Sequence, residues 1–172
     1  MDESFEIDQS PDVIVKAEKL FRQLTPLLGK LCPDGEIHHV GGTAIAGVPT
    51  KGDLDIQIRV PAHAIDRAAD RLSEHYSRNN GGFNPPTGYS YEGKDTDPPV
   101  GIHLTVLESK ADIQWVFTRM LNADAALRSR YAAIKSANAG KSMKDYRDAK
   151  ASFFEELVEL PEFHVIRNAE ET

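Results

Sequence analysis

Cysteine is nearly absent from this 172-residue chain: the one thiol, Cys32, excludes an internal disulfide framework and a cysteine-based zinc site. It stands among Leu28, Leu31 and Pro33, where a small buried apolar role is expected. No apolar run approaches the ~20 residues that a membrane-spanning helix needs. The N-terminal stretch MDESFEIDQSPD is acidic where a secretory signal is basic and then apolar, so a cytoplasmic location is expected, with no membrane partner. Excess positive charge is lacking too. A formal net charge of -7 argues against nucleic acid as a partner, because phosphate-backbone binding needs concentrated Lys and Arg. Internal repeats and low-complexity linkers are missing as well, and the length suits one domain spanning 1–172.

What is present is an alternation of helical and strand patterns. Residues 10–31 carry Val13, Ala17, Leu20, Leu24, Leu27 and Leu31 at three- and four-residue spacing, the stripe of a packing helix. Ser10 is its expected N-cap with Pro11 at the first helical position, and Pro26 predicts a kink or break near Thr25. Pro33-Asp34-Gly35 reads as a turn, 36–40 as a short strand, and 43–52 as a loop or short helical turn. In 53–60, Leu54, Ile56, Ile58 and Val60 alternate with Asp53, Asp55, Gln57 and Arg59, giving a strand apolar on one side and wet or functional on the other. A helix from Pro61 to about Tyr76 follows. Residues 77–99, rich in Gly, Asn, Asp and Pro, read as a long irregular connection: a functional flap, or an excursion holding a short hairpin. A strand over 101–107 places His103 and Thr105 opposite Ile102, Leu104 and Val106. Helices over about 109–122, 124–138 and 144–160 complete the chain, with Trp115, Phe117, Phe153, Phe154, Leu157 and Leu160 in the core. The tail after 161 is expected to be partly loose.

The chemistry concentrates in Val40–Val60, VGGTAIAGVPTKGDLDIQIRV. An apolar residue, Gly41-Gly42, a ten-residue spacer and Asp53-Leu54-Asp55-Ile56 resemble the signature of the nucleotidyltransferase superfamily. The spacing has a physical reason. A glycine turn lets backbone N–H groups approach phosphate oxygens, while two carboxylates on one strand face can hold Mg²⁺ beside the reacting phosphate. Alone, an Asp-x-Asp pair is as readily a turn residue followed by a solvated one.

A wider stretch resembles the GrpB family. Ile37 to Val48, then Lys51 and Asp55-Ile56-Gln57, follow that family's H-I/V-G-S-T-S/A-V-P-G-L, A-K and I-D-I blocks; His103-Leu104-Thr105-Val106, Tyr131 to Lys135 and Tyr146 to Lys150 follow its later ones. The same domain occurs as the C-terminal extension of some actinobacterial dephospho-CoA kinases. The resemblance implies a nucleotidyltransferase-like α/β (α+β) fold, a small mixed sheet of about four strands with helices packed mainly on one face. The chain departs from the pattern at Gly42, where the family has Ser, and at Ala46, where it has Pro; Asp55 matches the family's aspartate, whereas Asp53 stands at a variable position.

Together these readings single out Asp53 and Asp55 as metal ligands and catalytic carboxylates, Gly41, Gly42, Thr43 and Lys51 as phosphate or nucleotide contacts, and His103 as a base or a structural partner of the acidic strand. The third carboxylate usual in active nucleotidyltransferases is not found on 101–107. The basic run Arg128, Arg130, Lys135, Lys141, Lys144, Arg147, Lys150 reads as a solvated helical face, or as a rim from which Lys135 or Lys150 joins Lys51 over a phosphate. Three functions follow: binding of a nucleotide or other phosphorylated ligand without a complete catalytic triad, Mg²⁺-dependent nucleotidyl transfer from a nucleoside triphosphate, or a protein-interaction module.

Overall fold

The computed structural model describes residues 3–169, built around a five-stranded sheet in the order β1-β2-β5-β4-β3. The strands are β1 (Glu36–Val40), β2 (Leu54–Val60), β3 (Ser77–Arg78), β4 (Gly88–Gly93) and β5 (Val100–Val106). β2 and β5 run parallel at the centre; every other pairing is antiparallel. The helices are α1 (Val13–Leu31), α2 (Ile65–Ser73), α3 (Gln114–Ala123), α4 (Ala125–Asn138), α5 (Met143–Val158) and α6 (Pro161–Asn168). None is long and apolar enough to cross a membrane.

The period-two pattern of β2 determines the first layer. Leu54, Ile56 and Ile58 meet Ile102 and Leu104 of β5 beneath α1 and α2, which contribute Ala17, Leu20, Leu28, Ala68 and Leu72. Cys32 lies in this layer, buried as expected. A second apolar cluster, around Trp115, Val116, Leu121, Tyr131, Phe153, Leu157 and Phe163, forms among α3–α6 beside the β1 end of the opposite sheet face.

That opposite face is not simply wet. Gln57 and Arg59 are 0% and 4% exposed. Arg59 donates from Nε and Nη2 to the two oxygens of Asp112 at 2.7 and 3.0 Å, donates from Nη1 to Glu36 at 2.8 Å, and stacks over Trp115. Gln57 donates to Thr105 and Asp112, and its Oε1 accepts from the backbone N–H of Trp115 at 2.8 Å. The strand thereby fixes where α3 begins. That helix starts at Gln114 rather than near 109, because Asp112 is committed to Arg59 and to the backbone N–H of Glu108.

Several other expectations are corrected. α1 begins at Val13 with Asp12 at the cap position, not Ser10. It runs unbroken through Pro26, and the Thr25 hydroxyl donates to the Phe21 carbonyl just before the proline. The stretch 77–99 holds β3 and β4, an antiparallel pair in line with the hairpin reading, but β4 also joins β5 as a full member of the sheet, which raises the strand number from about four to five. Residues 161–168 are not loose: they form α6, whose Phe163 is 1% exposed and packs on Phe117, while 170–172 lie outside the described residues. The N-terminal segment is tied down by Phe5 N–H to Lys141 O, Gly140 N–H to Phe5 O and Asp8 N–H to Thr50 O, with Phe5 stacked on Tyr146.

Candidate functional site

Asp55 sits where three backbones meet. Its Cα is in register with Val40 on β1 and with Gly101 on β5. A glycine stands beside it on each side, Gly41 just after β1 and Gly101 in β5: a Cβ on Gly41 would lie 2.5 Å from Asp55 Oδ2, and one on Gly101 would lie 2.9 Å from Oδ1. Gly41 also has a φ of 78°, in the left-handed region that glycine enters without steric penalty. The carboxylate therefore occupies space that any side chain at either position would take. Asp53, two residues back along the chain, lines the same cleft of about 710 Å³.

The neighbours of the two aspartates divide by charge. Lys51 Nζ lies 3.5 Å from Asp53 and 4.0 Å from Glu3. Burial raises the Asp53 carboxyl above its ordinary value, with Lys51 opposing and Asp55 reinforcing the rise. For Asp55, burial also pushes upward, but the adjoining His103, then Lys150 and Lys135, outweigh it and hold the carboxyl below its ordinary value. His103 Nε2 is 3.6 Å from Asp55, its Nδ1 is 3.4 Å from the Ser90 hydroxyl, and Phe83 meets the ring edge-on.

Lys135 packs inward toward Lys51, as the second of the two readings of the basic run expects. Its side chain is 3% exposed, and its ammonium fills the place beside Gly42 where a Cβ would come within 2.7 Å of Nζ. Gly42 thus makes room for a lysine from α4. Burial, and then the nearby Lys150, lower the Lys135 pKa from 10.5 to about 8, with Asp55 and Asp53 offsetting part of the effect. Phe5, Thr50, Tyr146 and Arg147 line the small pocket that holds this ammonium together with Lys51 and Lys150. The expectation of a solvated basic face fails for Lys135, because α4 turns this position inward against the glycine turn.

Thr43 does something other than present a hydroxyl to phosphate. The side chain is buried, its Oγ1 donates to the Asp53 carbonyl at 3.1 Å, and His39 Nε2 lies 2.8 Å from it. Burial lowers the His39 pKa, which leaves a neutral ring able to donate to that oxygen. Thr43 accordingly holds the backbone that carries Asp53.

Among the expected site residues, then, Asp53, Asp55, Lys51 and His103 share one cleft, Gly41 and Gly42 each line a pocket that adjoins it at Asp55, and Thr43 holds the backbone of Asp53. Glu92 joins them unforeseen. It is in register with Gly101, which is in register with Asp55, so Glu92 and Asp55 flank a glycine on one sheet face and line one cleft. A carboxylate thus arrives from β4, one strand beyond the one expected to supply it. Its signal lies in the short alternation Tyr89-Ser90-Tyr91-Glu92 inside a Gly- and Pro-rich stretch. No group of three or more His, Cys, Asp or Glu side chains among the described residues is arranged to hold a metal ion. Asp53 and Asp55 are the pair that could hold one with ligand oxygens completing the shell.

Comparison with known proteins places this geometry in context. The family model described as "GrpB protein" matches residues 9–160. A UPF0157 protein of Vibrio cholerae serotype O1 is 26% identical over 142 residues, covering 82% of this chain and 75% of the relative. The crystal structure of conserved protein GrpB from Enterococcus faecalis aligns with a TM-score of 0.61 at 14% identity, over 87% of this chain and 97% of that one. A cytoplasmic RNA terminal U-transferase aligns with a TM-score of 0.51 at 13% identity, over 74% of this chain and 39% of that one. The Cid1 poly(U) polymerase aligns with a TM-score of 0.50 at 11% identity, over 74% and 40%. At these identities the alignments show a shared nucleotidyltransferase-like fold.

Proposed function

The chain belongs to the GrpB family, and from that premise we propose that it binds a nucleotide or another phosphorylated small molecule, with Mg²⁺, in the cleft over Asp53 and Asp55. One observation carries the reading: Lys135 is 3% exposed and its ammonium, beside Gly42, borders a pocket shared with Lys51, Lys150, Asp53 and Asp55, yet no carboxylate of the described residues is in ion-pair contact with it. Burying a cation without a partner is costly. A phosphate group entering beside the glycine turn supplies the missing counter-charge. The donor set suits Mg²⁺, which binds one or two protein carboxylates and fills its remaining positions with phosphate oxygens and water. When bound, the ion would neutralise phosphate charge between Asp53 and Asp55.

Nucleotidyl transfer is the second reading, favoured by Glu92. A hydroxyl-bearing acceptor in the trough over Gly101 would lose its proton to Glu92 or to His103, and its oxygen would attack the α-phosphorus while pyrophosphate leaves. Lys135 and Lys51 would stabilise the charge that gathers on the leaving group.

Differential scanning fluorimetry with each nucleoside triphosphate, with and without Mg²⁺, tests the first reading. A Mg²⁺-dependent rise in melting temperature is expected, lost in Asp55→Ala. If no triphosphate shifts the transition, both nucleotide readings fall and a protein-interaction module, or a site for a phosphorylated compound other than a nucleotide, remains. Pyrophosphate release assayed with candidate acceptors tests the second: Glu92→Gln should keep binding and abolish turnover. Binding without release in the wild type would leave only the first.

A further inference from the structure

Asp55 has a second side. Facing away from Lys51, a chamber of about 340 Å³ shares Asp55 and His103 with the main cleft and Asp55, Tyr131 and Lys150 with the lysine pocket. Its volume falls at the lower end of the range for small-molecule sites, about 300–1,000 Å³. Phe117 of α3, Phe154 of α5 and Phe83 from the segment before β4 line it along with Tyr131, so aromatic groups from four parts of the chain surround one space.

One polar group in that lining is unpaired. Gln114, the first residue of α3, borders the chamber, and its Oε1 is buried without a hydrogen-bond partner among the described residues. A buried oxygen left unpaired is costly and stands out in a folded protein. The helix start that carries it is held rigidly, because the backbone N–H of the next residue, Trp115, is bonded to Gln57. An acceptor held in place beside aromatic walls, next to an anion-binding pocket, calls for a flat ligand that brings its own donor.

We propose that this chamber takes the heteroaromatic base of a nucleotide, stacked among the phenylalanine rings, with a ring or exocyclic N–H donating to Gln114 Oε1. The phosphates then run past Asp55 toward Lys150 and Lys135. This rests on the phosphorylated-ligand reading and narrows it from phosphorylated compounds in general to nucleotides. A hydrocarbon body would leave Gln114 unpaired, and a sugar phosphate has no flat face for the rings. Stacking on aromatic side chains is tolerant of base identity, so the amide is the part that discriminates.

Titration calorimetry with Mg²⁺ compares tripolyphosphate, which carries the phosphates without a base, with the four common nucleoside triphosphates. In the wild-type protein at least one nucleoside triphosphate should bind about tenfold or more tightly than tripolyphosphate. Gln114→Leu removes an unpaired buried oxygen, so its ligand-free melting temperature should be unchanged or higher. It should weaken the preferred nucleotide roughly five- to tenfold while leaving tripolyphosphate unaffected. Gln114→Met, a second apolar replacement of similar length, should behave in the same way. Equal affinity for tripolyphosphate and every nucleotide, or an equal loss for both in the variants, would overturn the base chamber and leave the phosphate site standing. Binding of neither compound would overturn both.

Discussion

Consider Lys135→Met, which keeps the volume of a buried stem and deletes its ammonium. A pKa lowered from 10.5 to about 8 in the folded state means that folding disfavours the charged form of this lysine. At about 1.36 kcal/mol for each tenfold loss of proton affinity, the cost is roughly 3 kcal/mol at neutral pH. The ammonium lies 5.0 Å from the centre of the Tyr131 ring, a contact worth about 0.5–1 kcal/mol that methionine gives up. The net expectation is a gain of roughly 2 kcal/mol, or about 4–8 °C in melting temperature for a chain of this size. The sign with pH follows from linkage. Below about 8 both folded and unfolded chains carry the proton, and the penalty is fully present. As pH rises through 8 the folded protein releases its proton first, so wild-type stability climbs relative to the variant until the gap closes near 10.5. Calorimetric melts of the two proteins between about pH 6.5 and 10 would read this directly. At the same time the variant should lose affinity for Mg-triphosphate, and wild-type binding near pH 8 should take up protons, read as a dependence of the heat on buffer ionisation. A variant that is less stable throughout, with a gap indifferent to pH, would refute the claim that Lys135 is a strained, unpaired cation.

Other perturbations test the frame around it. Asp112→Asn takes the buried one of the two charge partners from Arg59, leaving Glu36, and should cost about 3 kcal/mol in urea denaturation; a loss below about 1 kcal/mol would mean that the pair is not buried as described. Phe163→Ala should cost about 3 kcal/mol or more, and a neutral result would contradict the docking of α6. Gly41→Ala should abolish triphosphate binding by displacing the Asp55 carboxylate. Gly47→Ala, at a similar φ of 76° but with nothing within 4 Å of the added Cβ, should cost a comparable backbone strain of about 1 kcal/mol and keep binding. Equal loss of binding in both would show that turn conformation, rather than room for Asp55, is what matters.

Much of the scaffold is legible in side-chain periodicity. The alternation in Leu54–Val60 and Val100–Val106 is strict, and these strands and Glu36–Val40 form within a residue of their expected limits. The aspartate strand, the glycine turn and His103 are recognisable because their spacing is local. What escapes a reading of the sequence is decided by distant packing. β4 hides among glycines and prolines because its partner β5 lies beyond the intervening loop, and Glu92 is hidden with it. Gln57 and Arg59 resemble the wet side of a strand. Only the arrival of Asp112 and Trp115, more than fifty residues on, satisfies their polar groups and lets them be buried. Lys135 resembles surface for the same reason: helical charge defaults to solvent unless tertiary structure turns it inward.

The two buried cations among the described residues decide between a structural and a functional account of the site. Arg59, fully enclosed, is matched bond for bond: Asp112 takes two of its hydrogen bonds at 2.7 and 3.0 Å, Glu36 takes a third at 2.8 Å, and Trp115 covers its face. That is how this fold treats a charge whose task is to hold α3 against the sheet. Lys135 is as deeply enclosed, yet its ammonium faces the Tyr131 ring and the Gly42 turn, while Asp53 and Asp55 act on it only through space. A chain able to build the Arg59 cluster a few residues along the aspartate strand had the means to give Lys135 a carboxylate partner in direct contact. Left without one, and placed beside the turn where a backbone can approach phosphate, the ammonium is better explained as half of an ion pair whose other half is the ligand.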